Sequence, residues 1–174
     1  LQATNWWGHD KKIRVAVIGC GSVSTQYLPQ ITKSPFIEVA ATCDIVPERA
    51  RKAAEQYGIK NWYPHIDQLL AGVPFDLMLT LTDMQEHGRL NRLALEAGHH
   101  VWSEKPLANS YAEGQALLKL AKAKNIRLWC APAVVQSAQF AFMAKSIQEG
   151  KIGQPAAAHA HYGHKVPLAG DVGG

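Results

Sequence analysis

Residues 15–24, VAVIGCGSVS, constrain the fold more than any other stretch of the chain. The run VAVI is apolar and mostly β-branched, which is typical of a buried parallel strand. Gly19 and Gly21 interrupt it, and helical spacing begins at about Ser22. Gly19 permits a tight turn, Gly21 lets the backbone approach a pyrophosphate, and the helix N-terminus presents N–H groups and a positive dipole. The stretch therefore predicts a binding site for a phosphate diester.

The rest of the chain alternates between short apolar runs and helical patterns. Strands are predicted at residues 13–18, 37–43, 61–63, 75–82, 99–102 and 126–130, with one more at 154–162. Helices are predicted at 22–33, 47–57, 66–70, 85–97, 110–125 and 136–149. Because strands and helices alternate with short turns, we expect an α/β fold with a doubly wound parallel sheet of the Rossmann type and right-handed crossovers.

The length of 174 residues allows one domain of roughly 100–150 residues and part of another. We expect an N-terminal arm at residues 1–12 and a dinucleotide-binding domain at 13–132. Residues 133–174 are predicted to form a linking helix and the start of a truncated second α+β domain.

Asp44 ends the second predicted strand, 23 positions after Gly21. The end of that strand faces the adenosine ribose in a dinucleotide fold, where a carboxylate accepts hydrogen bonds from the hydroxyls and repels a 2′-phosphate. NAD is therefore the expected cofactor, although Arg49 softens the preference and leaves NADP open. The alternative is that Asp44 only begins the turn before the helix at Pro47.

Composition narrows the class of protein. The net charge is +4, but the 18 lysines and arginines are scattered rather than gathered in a stripe, which argues against a nucleic-acid partner. No apolar run approaches the roughly 20 residues of a membrane span. The three cysteines each end a strand-like run without metal-ligand spacing, which favours a reducing, cytoplasmic compartment and no metal site. The first residue is not Met, so the possibility that an export signal has been removed stays open.

A family resemblance appears once the glycine turn, Cys43-Asp44, His87 and the segment AGHHVWSEKPLA at 97–108 are read in order. This order resembles the glucose–fructose oxidoreductase/inositol dehydrogenase (Gfo/Idh/MocA) family over about residues 13–165. The resemblance implies an NAD- or NADP-dependent dehydrogenase acting on a sugar, polyol or related alcohol. It also implies a homo-oligomer when the chain is full length.

The resemblance also implies roles for individual residues. The cofactor-binding set comprises Gly19, Gly21, Ser22 and Val23 at the pyrophosphate, Asp44 at the ribose, Thr82 and His87 on the nicotinamide side, and Glu104 and Lys105 beside the nicotinamide ribose and the substrate. Lys105 is the expected catalytic residue, because an ammonium can hydrogen-bond the substrate hydroxyl and stabilise developing negative charge. Glu104 either contacts the ligand directly or is a structural partner of Lys105.

Some positions depart from the family pattern. Tyr27 stands where many members have His, and residues 133–137 replace a frequent Asn-Arg pair. Asp171 lies in residues 171–174, which weakly resemble a catalytic segment of the family but do not contain the His of that segment. The family's substrate domain is not contained in the 174 residues, so a second hypothesis is a dinucleotide-binding fragment or a regulatory sensor without turnover.

Overall fold

The computed structural model describes residues 11–131 and 137–161. The chain divides into two compact units, with the boundary between Ala131 and Pro132. The first unit contains a six-stranded parallel sheet in the order β3-β2-β1-β4-β5-β6. Its strands are β1 (Ile13–Ile18), β2 (Ile37–Cys43), β3 (Asn61–Tyr63), β4 (Leu77–Thr80), β5 (His100–Ser103) and β6 (Leu128–Cys130).

Helices connect these strands along the chain. They are α1 (Ser24–Ile31), α2 (Pro47–Tyr57), α3 (Ile66–Ala71), α4 (His87–Glu96) and α5 (Tyr111–Ala123), with a 3-10 turn at Met84–Glu86 before α4. This is the doubly wound Rossmann arrangement predicted from the alternation of apolar runs and helical patterns. The second unit contains α6 (Ala138–Gln148).

The central strand β1 contributes to two apolar cores, because alternate residues of a strand point to opposite faces of the sheet. Val15 and Val17 belong to one core together with Leu28 of α1 and Leu79 of β4. The other core contains Ala16 and Ile18 of the same strand, with further members from β2, β4, β5, the helices α3, α4 and α5, and the loop before β4. Helices therefore cover both faces of the sheet, which explains why residues 15–18 of β1 are an uninterrupted apolar run.

Local signals set the helix ends. Pro47 occupies the first turn of α2, where its missing N–H costs nothing, and Gly58 ends the helix with φ of 67°. The Ser110 side chain accepts from the Glu113 N–H at 3.2 Å, which is half of the predicted capping box. In a complete capping box the Glu113 side chain would accept from the Ser110 N–H. Here Glu113 Oε2 accepts instead from the N–H of the preceding residue, Asn109, at 2.8 Å.

Several predicted boundaries differ from those observed. The first helix begins at Ser24 rather than Ser22, because residues 21–26 form turns in which the Ser24 N–H donates to Gly21 O and the Thr25 N–H to Ser22 O. The fourth strand is four residues long instead of the predicted eight. The prediction of a strand at 154–162 is wrong for residues 154–161, which form neither a helix nor a strand. An isolated strand is not stable without a partner, and the described residues supply none for this segment.

Parts of some predictions lie outside the described residues: the arm at 1–10, the substituted family segment at 133–136, and Asp171. Among the described residues, no helix is long and apolar enough to cross a membrane.

Candidate cofactor site

The glycine turn lies between the ends of β1, β2 and β4. Gly19 has φ of 93°, a conformation that favours glycine, and its N–H donates to Cys43 O at 2.9 Å. A Cβ atom at Gly19 would come within 2.5 Å of the Leu81 carbonyl carbon. Glycine is therefore required here by both the backbone conformation and the close approach of the chain after β4.

Gly21 has a different environment from Gly19. A Cβ atom built on it meets nothing within 4 Å, so open space lies next to this part of the turn. The turn provides acceptors for the N–H groups of Ser24, Thr25 and Gln26. Within the described residues it provides none for those of Ser22 and Val23. Open space beside N–H groups at a helix N-terminus fits a cofactor pyrophosphate.

Asp44 supports the glycine turn directly. Its Oδ2 accepts from the Cys20 N–H and its Oδ1 from the Val46 N–H, each at 2.8 Å. The residue is 7% exposed, and a carboxylate oxygen can accept more than one hydrogen bond. Asp44 therefore joins the turn after β1 to the start of the turn before α2 and still has the capacity to accept from ribose hydroxyls.

His87 joins the loop after β4 to the loop after β5. Its Nδ1 lies 2.7 Å from Pro106 O and its Nε2 3.0 Å from Thr82 O, and the residue is 1% exposed. Both ring nitrogens thus face backbone carbonyls, while Thr82 itself is half-buried. The placement of Thr82 and His87 on the nicotinamide side stays a prediction. The structure gives His87 a second role, which is to hold the loop containing Lys105 and Pro106 beside the end of β4.

Asn91 is one helical turn after His87 and completes a buried polar network. Its Oδ1 accepts from the Thr80 hydroxyl at 2.9 Å, and its Nδ2 donates to Ser103 Oγ at 2.9 Å and to Leu107 O at 3.2 Å. Thr80, Asn91 and Ser103 are completely buried. A satisfied buried network fixes relative positions because each lost bond leaves a buried polar atom unpaired. It therefore fixes the ends of β4 and β5 and the loop beyond β5 relative to one another.

Glu104 and Lys105 follow β5 directly. The Glu104 N–H donates to Thr80 O at 2.9 Å, and Glu104 Oε2 accepts from the Lys105 N–H at 3.0 Å. Glu104 Oε1 accepts from the Tyr27 hydroxyl of α1 at 2.5 Å. The Lys105 side chain is exposed. Glu104 is thus bonded to the Lys105 backbone, and its direct contact with the ligand stays a prediction.

The thiols around the site resist ionisation. Burial, reinforced by the nearby Asp44 carboxylate, raises the pKa of Cys20 to about 12. Burial also raises the pKa of Cys43 to about 12, with Cys20 and Asp44 adding to the effect. Burial and the Glu104 carboxylate raise the pKa of Cys130 above its usual value. These cysteines therefore behave as small apolar residues rather than as nucleophiles.

The site geometry agrees with a comparison against family models. Residues 13–131, more than half of the chain, match the GFO_IDH_MocA model, described as an oxidoreductase family with an NAD-binding Rossmann fold. The chain belongs to the Gfo/Idh/MocA oxidoreductase family. This confirms the resemblance that the glycine turn and the Glu-Lys-Pro segment indicated, and it identifies the first unit as the NAD-binding region of a Gfo/Idh/MocA protein.

Curated relatives of this Gfo/Idh/MocA chain include sugar and polyol dehydrogenases. A D-apiose dehydrogenase of Paraburkholderia graminis is 26% identical over 145 residues, which cover 83% of this chain and 39% of the relative. An inositol 2-dehydrogenase/D-chiro-inositol 3-dehydrogenase of Lactiplantibacillus plantarum is 28% identical over 151 residues, covering 82% and 41%. The chain therefore spans less than half of the length of these relatives.

Solved structures similar to this chain include nicotinamide-dependent oxidoreductases. The WlbA dehydrogenase of Bordetella pertussis, in complex with NADH and UDP-GlcNAcA, superposes with a TM-score of 0.77 at 26% identity, covering 82% of this chain and 44% of that one. KijD10, a 3-ketoreductase of Actinomadura kijaniata in complex with NADP, superposes with a TM-score of 0.75 at 28% identity, covering 82% and 46%. Both nicotinamide cofactors therefore occur among structures similar to this Gfo/Idh/MocA chain.

Sequence reasoning missed the network around Asn91. A signal was present, because His87 and Asn91 are spaced i, i+4 on the face of α4 that also carries Leu90 and Ala94. Polar side chains within the buried face of an amphipathic helix must find partners. The sequence shows Tyr27 only as a departure from the Gfo/Idh/MocA pattern, because its contact with Glu104 joins residues 77 positions apart.

Proposed function

We propose that this chain is the cofactor-binding part of an NAD(P)-dependent dehydrogenase that acts on an alcohol carbon of a sugar, polyol or related compound. The main support for the proposal is the position of two loops, one on each side of β4. The glycine turn follows β1 and the loop with Lys105 follows β5, at the carboxyl edge of one parallel sheet. Ligands of open α/β sheets bind at this edge.

The proposal assigns roles to the main residues of the predicted site. The N–H groups after Gly21 receive the pyrophosphate, and Asp44 receives the adenosine ribose and disfavours a 2′-phosphate, so NAD is the expected cofactor ahead of NADP. When bound, the nicotinamide ring donates or accepts the hydride. The Lys105 ammonium hydrogen-bonds the substrate oxygen and stabilises the negative charge that develops there. Thr82 and His87 border the nicotinamide side.

Two coarser features belong to the same proposal. The three cysteines are free thiols, which supports a reducing, cytoplasmic compartment. The relatives named above are dehydrogenases of sugars and polyols, which supports a small-molecule substrate. A homo-oligomer of the full-length protein is part of the proposal and is tested by its mass in solution.

Cofactor binding is tested on this chain by titration with NADH, followed by the fluorescence of its five tryptophans. We expect Gly21→Val to weaken NADH binding by at least about 10-fold, because its side chain occupies the space needed by the pyrophosphate. Gly114→Ala is the matched control, because a Cβ atom at Gly114 has only an ordinary contact with Ala108 at 3.9 Å. Equal NADH affinity of wild type and Gly21→Val contradicts the cofactor assignment.

Turnover is tested separately on the full-length protein, with a panel of polyols and sugars and by the absorbance of reduced nicotinamide. We expect Lys105→Met to lower kcat by about 100-fold or more, and to weaken NADH binding less than Gly21→Val does, because the pyrophosphate contacts remain. Lys119→Met, at an exposed lysine of α5, is the control. NADH binding without turnover of any substrate supports the second hypothesis, a dinucleotide-binding fragment or regulatory sensor.

A further inference from the structure

The hydrogen bond between Tyr27 and Glu104 joins the helix after the glycine turn to the loop after β5. We propose that Tyr27 is a positioning residue for Lys105, acting through the Glu104 carboxylate. Tyr27 Oη donates to Glu104 Oε1 at 2.5 Å, and Glu104 Oε2 accepts from the Lys105 N–H at 3.0 Å. One carboxylate thus connects the hydroxyl of α1 to the backbone of Lys105.

The carboxylate needs a fixed partner because its own backbone does not determine where the side chain points. The Glu104 N–H is held by Thr80 O at 2.9 Å, which fixes the main chain at the end of β5. Glu104 itself is only half-buried and is next to an exposed lysine. Without a second partner, its carboxylate can turn to the Lys105 ammonium and form an exposed ion pair. The bond from Tyr27 holds the carboxylate away from that pairing.

The direction of the bond is fixed by the protonation state of Tyr27. Burial, together with the hydrogen bond and charge of Glu104, raises the pKa of Tyr27 to about 12. The phenol therefore keeps its proton at neutral pH and donates to the carboxylate. Hydrogen bonds from a neutral donor to an ionised acceptor are stronger than those between neutral groups.

The residue type at position 27 is the feature that makes this link. A phenol carries its hydroxyl at the end of a rigid ring, which extends from α1 to the loop after β5. Phenylalanine retains the ring and removes only the donor. Tyr27→Phe is therefore a suitable test, since packing is kept while the hydrogen bond is lost.

The first experiment measures hydrogen exchange of the Lys105 backbone N–H by NMR on the chain without cofactor. We expect Tyr27→Phe to speed this exchange by about 10-fold, because the Glu104 carboxylate is no longer held as its acceptor. In a Glu104→Ala background, Tyr27→Phe should have no further effect, since the intermediary is already absent.

Tyr111→Phe is the control for the exchange measurement. Tyr111 is 83% exposed, and its hydroxyl accepts from Gln115 within the same helix at 3.1 Å. Exchange at Val17 in β1 reports general loosening of the fold. Unchanged Lys105 exchange in Tyr27→Phe overturns the inference, as does equally faster exchange at Val17, which indicates a merely structural role.

The second experiment measures kinetics and rests on the proposed function. We expect Tyr27→Phe to lower kcat by about 10-fold with NADH affinity within about twofold of wild type, and to have no effect in the Glu104→Ala background. An equal loss in both backgrounds overturns the inference. These kinetics are measured on the full-length protein. If that wild-type protein has no turnover, the proposed function fails, and the exchange measurement alone decides the role of Tyr27.

Discussion

Asp44 Oδ2 accepts a hydrogen bond from the Cys20 N–H at 2.8 Å, between the two glycines of the turn. The same carboxylate accepts from the Val46 N–H at 2.8 Å. The residue predicted to bind the adenosine ribose is thus part of the structure that holds the glycine turn in place. Substitution of Asp44 should change stability as well as cofactor affinity.

Asp44→Asn should lower the free energy of unfolding by about 1–2 kcal/mol, because an amide cannot accept both backbone bonds without turning its NH₂ group towards one donor. NADH affinity should fall as well. Urea denaturation and fluorescence titration measure the two effects. Asp83→Asn, at an exposed aspartate without a capping hydrogen bond, is the control. Wild-type stability in Asp44→Asn would show that the two backbone bonds contribute little.

The two glycines of the turn should respond differently to the same substitution. Gly19→Ala places a Cβ atom 2.5 Å from the Leu81 carbonyl carbon at a positive φ, so we expect a loss of more than about 2 kcal/mol or failure to fold. Gly21→Ala meets nothing within 4 Å and should retain wild-type stability while NADH binds more weakly. Urea denaturation of both variants, with an NADH titration of the second, tests this contrast. Equal stability losses would contradict it.

Asn91→Leu should lower the free energy of unfolding by about 2–3 kcal/mol, because it leaves the Thr80 hydroxyl and the Leu107 carbonyl without their buried partner. The same change should speed hydrogen exchange in the loop around Lys105. Gln56→Leu, at an exposed position of α2, is the control. A stable Asn91→Leu with unchanged loop exchange would show that backbone bonds alone fix the loop.

Alkaline pH should destabilise the chain through its buried thiols. The pKa values of Cys20 and Cys43 are raised from 9.0 to about 12, so the folded chain keeps protons that the unfolded chain loses above about pH 9. The stabilisation is complete below that pH and is lost as pH rises towards 12. Urea midpoints at increasing pH should decline, and less steeply in Cys20→Ala. Identical slopes for wild type and Cys20→Ala would contradict the assignment.

The order of strands and helices could be predicted because local signals agree with the fold. β1 and β2 were predicted with their observed bounds, since each ends in four buried, largely apolar residues with clear turn residues after them. The strand predicted at 154–162 shows the limit of this reasoning. Alternation of apolar and polar residues shows that a segment could pair, but only tertiary structure provides a partner.

Candidate residues of the site could be named from the sequence, and their cofactor roles stay predictions, whereas the hydrogen bonds that connect them could not be predicted. Gly19, Asp44 and Lys105 are indicated by their positions after predicted strands. The bonds of Asn91 and Tyr27 join elements that are distant in the sequence, and a single sequence contains no record of such pairs. His87 illustrates the difference, because its position in the motif was evident while its two carbonyl partners were not.

The raised pKa values of the three cysteines give the natural chain very little thiolate at neutral pH. Haloacetamides and maleimides react with thiolate rather than thiol. A cysteine introduced at an exposed lysine such as Lys60 or Lys119 should therefore react much faster than the natural ones. Fluorophores and spin labels can then be attached at chosen positions on the native background, with no need to remove any of the three cysteines first.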